Sequence, residues 1–310
     1  MFRYLGIRLF RALLSIVLVI TFTFMVLRAS GDPALQILGP NAQASALEAF
    51  RRSWGLDQPL WWQYVSYFLA ILRGDLGRSM LNGQSALSVV ADRIPMSLAL
   101  TVPALLINVM LGVSAGVFAA LHRDTVVDRA VMMFSVVGFT VPSYVLALAL
   151  ILLFSVEFGV LPSGGSDQAL SFVLPVVTLG IGGAATLARF TRSAMIEVLG
   201  QLFVTAASAK GVSWGAVVRH HAFKNACIPV LTLLGLMLGG LIAGSVLVEN
   251  VFGWPGVGQL LIVSVARRDL AVVQVILLLV AATMTAANLV VDILYGIIDP
   301  RLRSRPSARG

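Results

Sequence analysis

The chain has 310 residues, 58% of them hydrophobic and only 12% charged, and its mean hydropathy is +0.94. A soluble domain of this size carries about a quarter charged residues, so this balance excludes a soluble globular protein and indicates a membrane protein. The net charge of +8 does not indicate nucleic acid, because the cations cluster in short loops beside apolar runs, as the positive-inside rule requires. The single cysteine, Cys227, excludes an internal disulfide and a cysteine-based metal cluster, and it reads as a small apolar filler where a span begins.

Six uncharged runs follow one another along the chain. Ala12–Leu27 comes first; it is short, but Arg8 and Arg11 extend it by snorkelling. The same stretch has the basic flank of a signal peptide, although Arg28 and a poor cleavage site favour a retained anchor. Ile94–Leu121, Ala130–Val156, Ala169–Ala188, Cys227–Val248 and Leu270–Val291 are long enough to cross a bilayer. The expected fold class is therefore all-α and polytopic, with six transmembrane helices. With the N-terminus inside, the inner segments hold 14 of the 22 Lys and Arg residues. The short outer loops then keep only Arg267 and Arg268, so both termini are expected in the cytoplasm. The organisation reads as an N-terminal span (1–29), an extracytoplasmic segment (30–93), a transmembrane core (94–298) with a cytoplasmic loop (189–228), and a cytoplasmic tail (299–310).

The extracytoplasmic segment is too long and too patterned for a mere connector. Ser45 and Glu48 have the spacing of a capping box, and Gly55 is placed to end the helix that follows. Leu60, Trp61, Tyr64, Val65, Phe68, Leu69 and Leu72 recur on one helical face, as in a helix lying in the membrane interface. Pro103 in the second span, and Gly138 with Pro142 in the third, are expected to bend their helices. Between those spans, His122–Arg129 reads as a solvated cytoplasmic turn. Gly180, Gly182, Gly183, Ala184 and Ala185 suit close helix contact.

The one sizeable polar insertion in the second half is Gln201–Pro229. Ala206, Ala207, Ser208 and Ala209 have little side chain, so another protein can approach that backbone closely. Gly211 sits where a left-handed residue ends a helix, and Ser213 is placed to cap the next. Lys210, Arg219 and Lys224 keep the insertion cationic and in water. Thr205-Ala206-Ala207 followed by Gly211 resembles the EAA…G loop of ATP-binding-cassette (ABC) importer permeases, with Thr in place of Glu. GDPA at Gly31–Ala34, GLDQPLWWQY at Gly55–Tyr64, GDLGRS at Gly74–Ser79, ENVFGWPGVG at Glu249–Gly258 and NLVVDILYGIIDPRLR at Asn288–Arg303 are similar to the dipeptide/oligopeptide/nickel group of that family.

That resemblance implies a type I ABC importer permease fold in the cytoplasmic (inner) membrane of a bacterium. It implies a homologous second permease subunit, two ATPase subunits or domains that bind ATP and Mg, and an extracytoplasmic solute-binding protein. Thr205, Ala206, Ala207, Ser208, Ala209, Lys210, Gly211 and Arg219 would form the loop that couples to the ATPase. Trp54, Gly55, Asp57, Pro59, Trp61, Tyr64 and Asp75 would contact the partner above, or simply brace the bundle. The cargo would be di- or oligopeptides, with nickel chelates, opines or glutathione as alternatives.

No catalytic set is expected. Neither lysine, Lys210 or Lys224, is followed by Ser or Thr, so there is no P-loop, and ATP must be used on other chains. His220 and His221 are adjacent and point about 100° apart on a helix, which does not suit a metal. No cofactor or metal site is therefore assigned. Asn108, Gln274 and Asn288 are candidates for lining a translocation path or for pairing across helices, whereas Glu249 and Asp292 fall near helix ends. A self-sufficient secondary transporter would need a charged residue deep within a span, and none is present in mid-span.

Overall fold

The computed structural model describes residues 10, 13–15, 17–22, 24–26, 31–39 and 41–298. Helices account for nearly all of the regular structure, and the chain divides into two compact units. The first unit is residues 1–97 and 255–283; the second is residues 98–254 and 284–310.

The first unit begins with α1 (Leu13–Val26), described in part. It continues with α2 (Pro33–Leu38), α3 (Ala44–Ser53), α4 (Leu60–Leu72), α5 (Ala86–Ala91) and the start of α6 (Ile94–Ile107). The GDPA and GDLGRS stretches are its joints. Asp32 caps α2 by accepting from the Ala34 amide, with Pro33 opening the helix, and its other oxygen takes Arg51 of α3 at 2.5–2.9 Å. The Ser79 hydroxyl and Met80 amide both donate to the buried Asp269 carboxylate, the latter at 3.2 Å. The Arg93 guanidinium donates to the Pro255 carbonyl at 3.1 Å, and the Val257 amide donates to Ser97 at 2.8 Å. These bonds tie the 79–97 stretch to residues 255–269, ahead of the last helix.

Two local expectations change here. Ser45 and Glu48 do not form a capping box, because α3 starts at Ala44, Gln43 is its N-cap and no side chain caps it. Gly55 does end α3, at φ +62°, with the Leu56 amide returning to the Arg51 carbonyl. On α4, Leu60, Trp61, Val65, Leu69 and Leu72 are exposed as one apolar face. Tyr64, from the same expected face, is turned onto α1, where it hydrogen-bonds Thr21 at 2.7 Å and meets the Phe24 ring.

The second unit takes in α7 (Ser114–Leu121), α8 (Val126–Thr140), α9 (Ser143–Leu150) and α10 (Val173–Leu199). Beyond these lie α11 (Leu202–Ala209), α12 (Trp214–Ala216), α13 (Phe223–Gly239) and α14 (Leu241–Val251). α15 (Val257–Ala266) and the start of α16 (Leu270–Ile298) fall in the first unit, and α16 ends in the second. π-helical stretches at Asn108–Val113, Ile151–Glu157 and Val217–Ala222 join α6 to α7, extend α9, and join α12 to α13.

α10 is the centre of the second unit, and its glycines explain why. A Cβ on Gly180 would stand 2.9 Å from Ile107, and one on Gly183 would collide with Asn108. From the other side, a Cβ on Gly112 would lie 2.8 Å from the Ala184 carbonyl, and one on Gly138 2.8 Å from Ala185. The small-residue face expected to allow close helix contact is therefore occupied within the chain. It lets the Asn108–Val113 stretch and α8 approach α10 at backbone distance.

Among the described residues, four helices are long and apolar enough to cross a membrane: Ala86–Leu121, Val173–Leu199, Trp214–Gly239 and Leu270–Val291. The third expected span is a broken one. Val126–Thr140 and Ser143–Glu157 meet at 101°, because Pro142 forces Val141 out of the helical region, to φ −72° and ψ 120°. α1 belongs with the shorter apolar helices. The expected fourth span stops too early at Ala188, since α10 carries Arg189 and Arg192 and runs on to Leu199. The fifth ends at Gly239, and the residues up to Val251 form the separate helix α14. Asp292 and the tail 299–310 lie outside the residues whose side chains are described.

Candidate functional site

The polar insertion shrinks to a short segment between α10 and α12, carrying α11. Of its helical residues, Val204 and Ala207 are the buried ones, packed on Val217, Val198 and Leu199. Ala207, expected to face a partner, is thus half of the anchor. Thr205, Ala206, Ser208, Ala209, Lys210, Gly211 and Arg219 are exposed. Gly211 has φ +82°, and its amide donates to the Ser208 carbonyl at 3.0 Å. A left-handed glycine thus ends α11, with Lys210 as its C-cap. Ser213 is the N-cap of α12, but its side chain makes no capping bond.

Around this helix the sequence reading missed four residues. Leu202 is 87% exposed and Trp214 57%, and Phe203 and Val212 are exposed beside them. Large apolar side chains exposed in this polar part of the chain form a surface that needs a cover. The signal was present in the sequence as apolar residues within a cationic loop. Lys210, Arg219 and Lys224 supply a basic rim, and His220 and His221 are exposed on the π-helical stretch.

The helix from which α11 hangs is clamped. Asp128, buried in the first turn of α8, takes Arg192 of α10 through two bonds of 2.5 and 2.6 Å. Asp128 also accepts from the Asp124 amide at 3.0 Å, and Thr125 caps the helix above it. His122–Arg129 is accordingly not a merely solvated turn. Beneath the clamp, Ala120, Leu187, Met195, Ala222 and Ala226 form a closed apolar cluster joining α7, α10 and α13. Val198 and Leu199 pack both on this cluster and on the anchor of α11, so the clamped helix carries α11.

The other candidate residues scatter. Asn108 is buried on the π-helical stretch against Gly183, its Oδ1 without a partner among the described residues. Asn288 is exposed on α16. Gln274 lines a cavity of about 560 Å³ in the first unit, together with Trp54, Gly55, Trp62 and Tyr67. Burial raises the Tyr67 phenol above its ordinary value, so it stays protonated. Asp57, Pro59, Trp61 and Asp75 are exposed, and the Asp75 carboxylate accepts from the Gly77 amide at 2.9 Å. Glu249 is fully buried and accepts from Ser245 at 2.7 Å. Cys227 is half-buried.

Comparison with known proteins agrees with this architecture. Residues 112–304 match the family described as binding-protein-dependent transport system inner membrane component. Residues 1–101 match the N-terminal part of such membrane components. The glutathione transport system permease protein GsiC of Escherichia coli O6:H1 is 43% identical over 290 residues, covering 94% of both chains. GsiC of Escherichia coli strain K12 and that of Shigella flexneri serotype 5b are each 42% identical over the same length and coverage. Among solved structures, an inward-facing form of the MetNI methionine ABC transporter superposes with a TM-score of 0.56 at 19% identity, over 68% of this chain and 96% of that one. The fold is thus that of ABC importer permeases, and the apolar helices make the chain a multi-pass inner-membrane protein. The chain belongs to the family of binding-protein-dependent transport system inner membrane components, as the permease subunit of an ABC importer.

Proposed function

We propose that the chain forms the pore of an importer for small peptides, with glutathione, itself a tripeptide, as the first substrate to test. The observation that carries this is the 43% identity to a glutathione permease across 94% of both chains. ATP would be hydrolysed on separate ATPase subunits bound to the exposed side of α11, through Thr205, Ala206, Ser208, Ala209 and Lys210, with Leu202 and Trp214 as apolar anchors. The bias of Lys and Arg toward that side supports a cytoplasmic position for it. A homologous permease would complete the pore. A solute-binding protein would dock on the opposite side, near Trp54, Asp57, Trp61 and Asp75.

Coupling then follows from the geometry of the clamp. Closure of the ATPases would displace α11, which is attached to α10 through Val198 and Leu199 and to the π-helical stretch through Val217. A ligand moves such an equilibrium only through contacts that differ between the two states, and α11 is where ATP-driven differences enter this chain. The test of substrate class is to isolate the cognate solute-binding protein and identify the ligand it retains. Glutathione or a short peptide supports the reading, and a metal chelate or an opine refutes it.

A further inference from the structure

Arg189 and Arg192 stand one turn apart on α10, and only one of them has a counter-ion. Arg192 is neutralised by Asp128. Arg189 makes no ion pair or side-chain hydrogen bond among the described residues; its guanidinium lies over the Phe139 ring, 4.5 Å from the centroid. A ring face attracts a cation but leaves its charge uncancelled.

The direction of the side chain matters more than the ring. Side chains on a helix lean toward its N-terminus. Arg189 therefore points back along α10, into the apolar stretch and away from the polar segment around α11. Phe139 marks the level it reaches, because the adjacent Gly138 packs on Ala185, one turn nearer the N-terminus than Arg189. Phe139 is itself exposed, with Val136 and Val137 beside it, so this is an open face of the second unit. One residue further on, α8 stops at Thr140 and the chain turns through 101°. Broken helices are tolerated at membrane depth only where they are buried in protein or line a water-filled path, and transporters build substrate sites there. An uncancelled guanidinium is costly against lipid and belongs in the same surroundings.

We infer that Arg189 contacts the carboxylate of the passing substrate inside the translocation path, with Phe139 holding the guanidinium in position. Guanidinium and carboxylate fit as a two-point, charge-assisted pair. The ligand class is a peptide with a free carboxylate, and the inference rests on the importer reading above. Neither the buried Asn108 nor the first-unit Gln274 supplies a charge for such a group.

The test measures uptake per ATP hydrolysed in proteoliposomes holding the complete complex, with reduced glutathione and the solute-binding protein. A hydrogen-bonded charge pair is worth roughly a ten- to hundredfold effect. Arg189→Gln is expected to lower uptake per ATP about tenfold or more, Arg189→Lys is expected to fall between it and wild type, and Arg189→Glu below both. The loss is expected in liposomes of phosphatidylcholine alone and in those that also contain phosphatidylglycerol. If uptake and ATP hydrolysis fall in parallel, Arg189 acts through the fold or the ATPase contact, and the inference is overturned. Wild-type uptake by Arg189→Gln overturns it too, and so does a loss seen only with the anionic lipid. A wild-type complex that moves no glutathione at all refutes the importer reading instead.

Discussion

Replacing Gly211 by valine perturbs the left-handed position that ends α11. Its φ of +82° is a region that L side chains occupy at a cost of about 1–2 kcal/mol, with β-branched residues at the upper end. A Cβ there would meet nothing within 4 Å, so the whole penalty is conformational and none is steric. Against it stands the anchor of α11, the burial of Val204 and Ala207. At about 25 cal/mol per Å² of apolar surface, two small side chains contribute about 2–3 kcal/mol. Strain and anchor are of the same size, so valine releases α11 from its seat in a substantial fraction of molecules. The helices long enough to cross a membrane lie outside this turn. In proteoliposomes at matched protein levels, Gly211→Val is expected to lower uptake about tenfold or more and to remove the response of ATP hydrolysis to loaded binding protein, since each 1.4 kcal/mol is a factor of ten. Gly211→Ala is expected to be milder, and Gly211→Asn milder still, because Asn tolerates the left-handed region. Wild-type transport by the valine variant would refute the reasoning, and so would a valine variant no worse than alanine.

Other consequences separate surface from frame. Leu202→Glu and Trp214→Ser change exposed side chains, so the permease is expected to reach the membrane at wild-type abundance while its co-purification with the ATPase subunits is lost. Asp128→Asn leaves Arg192 without its counter-charge and is expected to destabilise the protein by about 3 kcal/mol, read as a lowered Tm in detergent; the double variant Asp128→Asn, Arg192→Gln is expected to recover part of that loss. Gly116→Ala would bring a methyl 2.5 Å from the Ala188 carbonyl and is expected to abolish folding, whereas Gly244→Ala meets nothing within 4 Å and is expected to be neutral, with membrane abundance as the readout.

The parts of this architecture that were legible in the sequence are those fixed by local chemistry. Gly211 and Gly55 end helices at positive φ because few other residues relax there, and Pro142 breaks α8 because it restricts Val141. Apolarity located the spans but not their ends. Arg189 and Arg192 read as loop residues, yet both lie inside α10. They remain there because Asp128, distant in sequence, neutralises one and Phe139 supports the other. Small residues at Gly180–Ala185 announced close packing without saying against what, since a helix face carries no label for its partner. On α11, alternation between Ala207 inward and Ala206 outward is invisible in a run of alanines. The Ser45–Glu48 spacing was a false signal, because the helix it seemed to cap begins before it.

The central claim is that this chain moves small peptides only when separate ATPases drive it through α11. The most direct measurement is glutathione uptake into proteoliposomes containing the complete complex, with ATP and with ATP omitted, and with wild-type or Gly211→Val permease. Uptake that requires ATP and the solute-binding protein, and that collapses in the valine variant, is the result predicted. Uptake that persists without ATP, driven by an ion gradient and indifferent to Gly211, would contradict it.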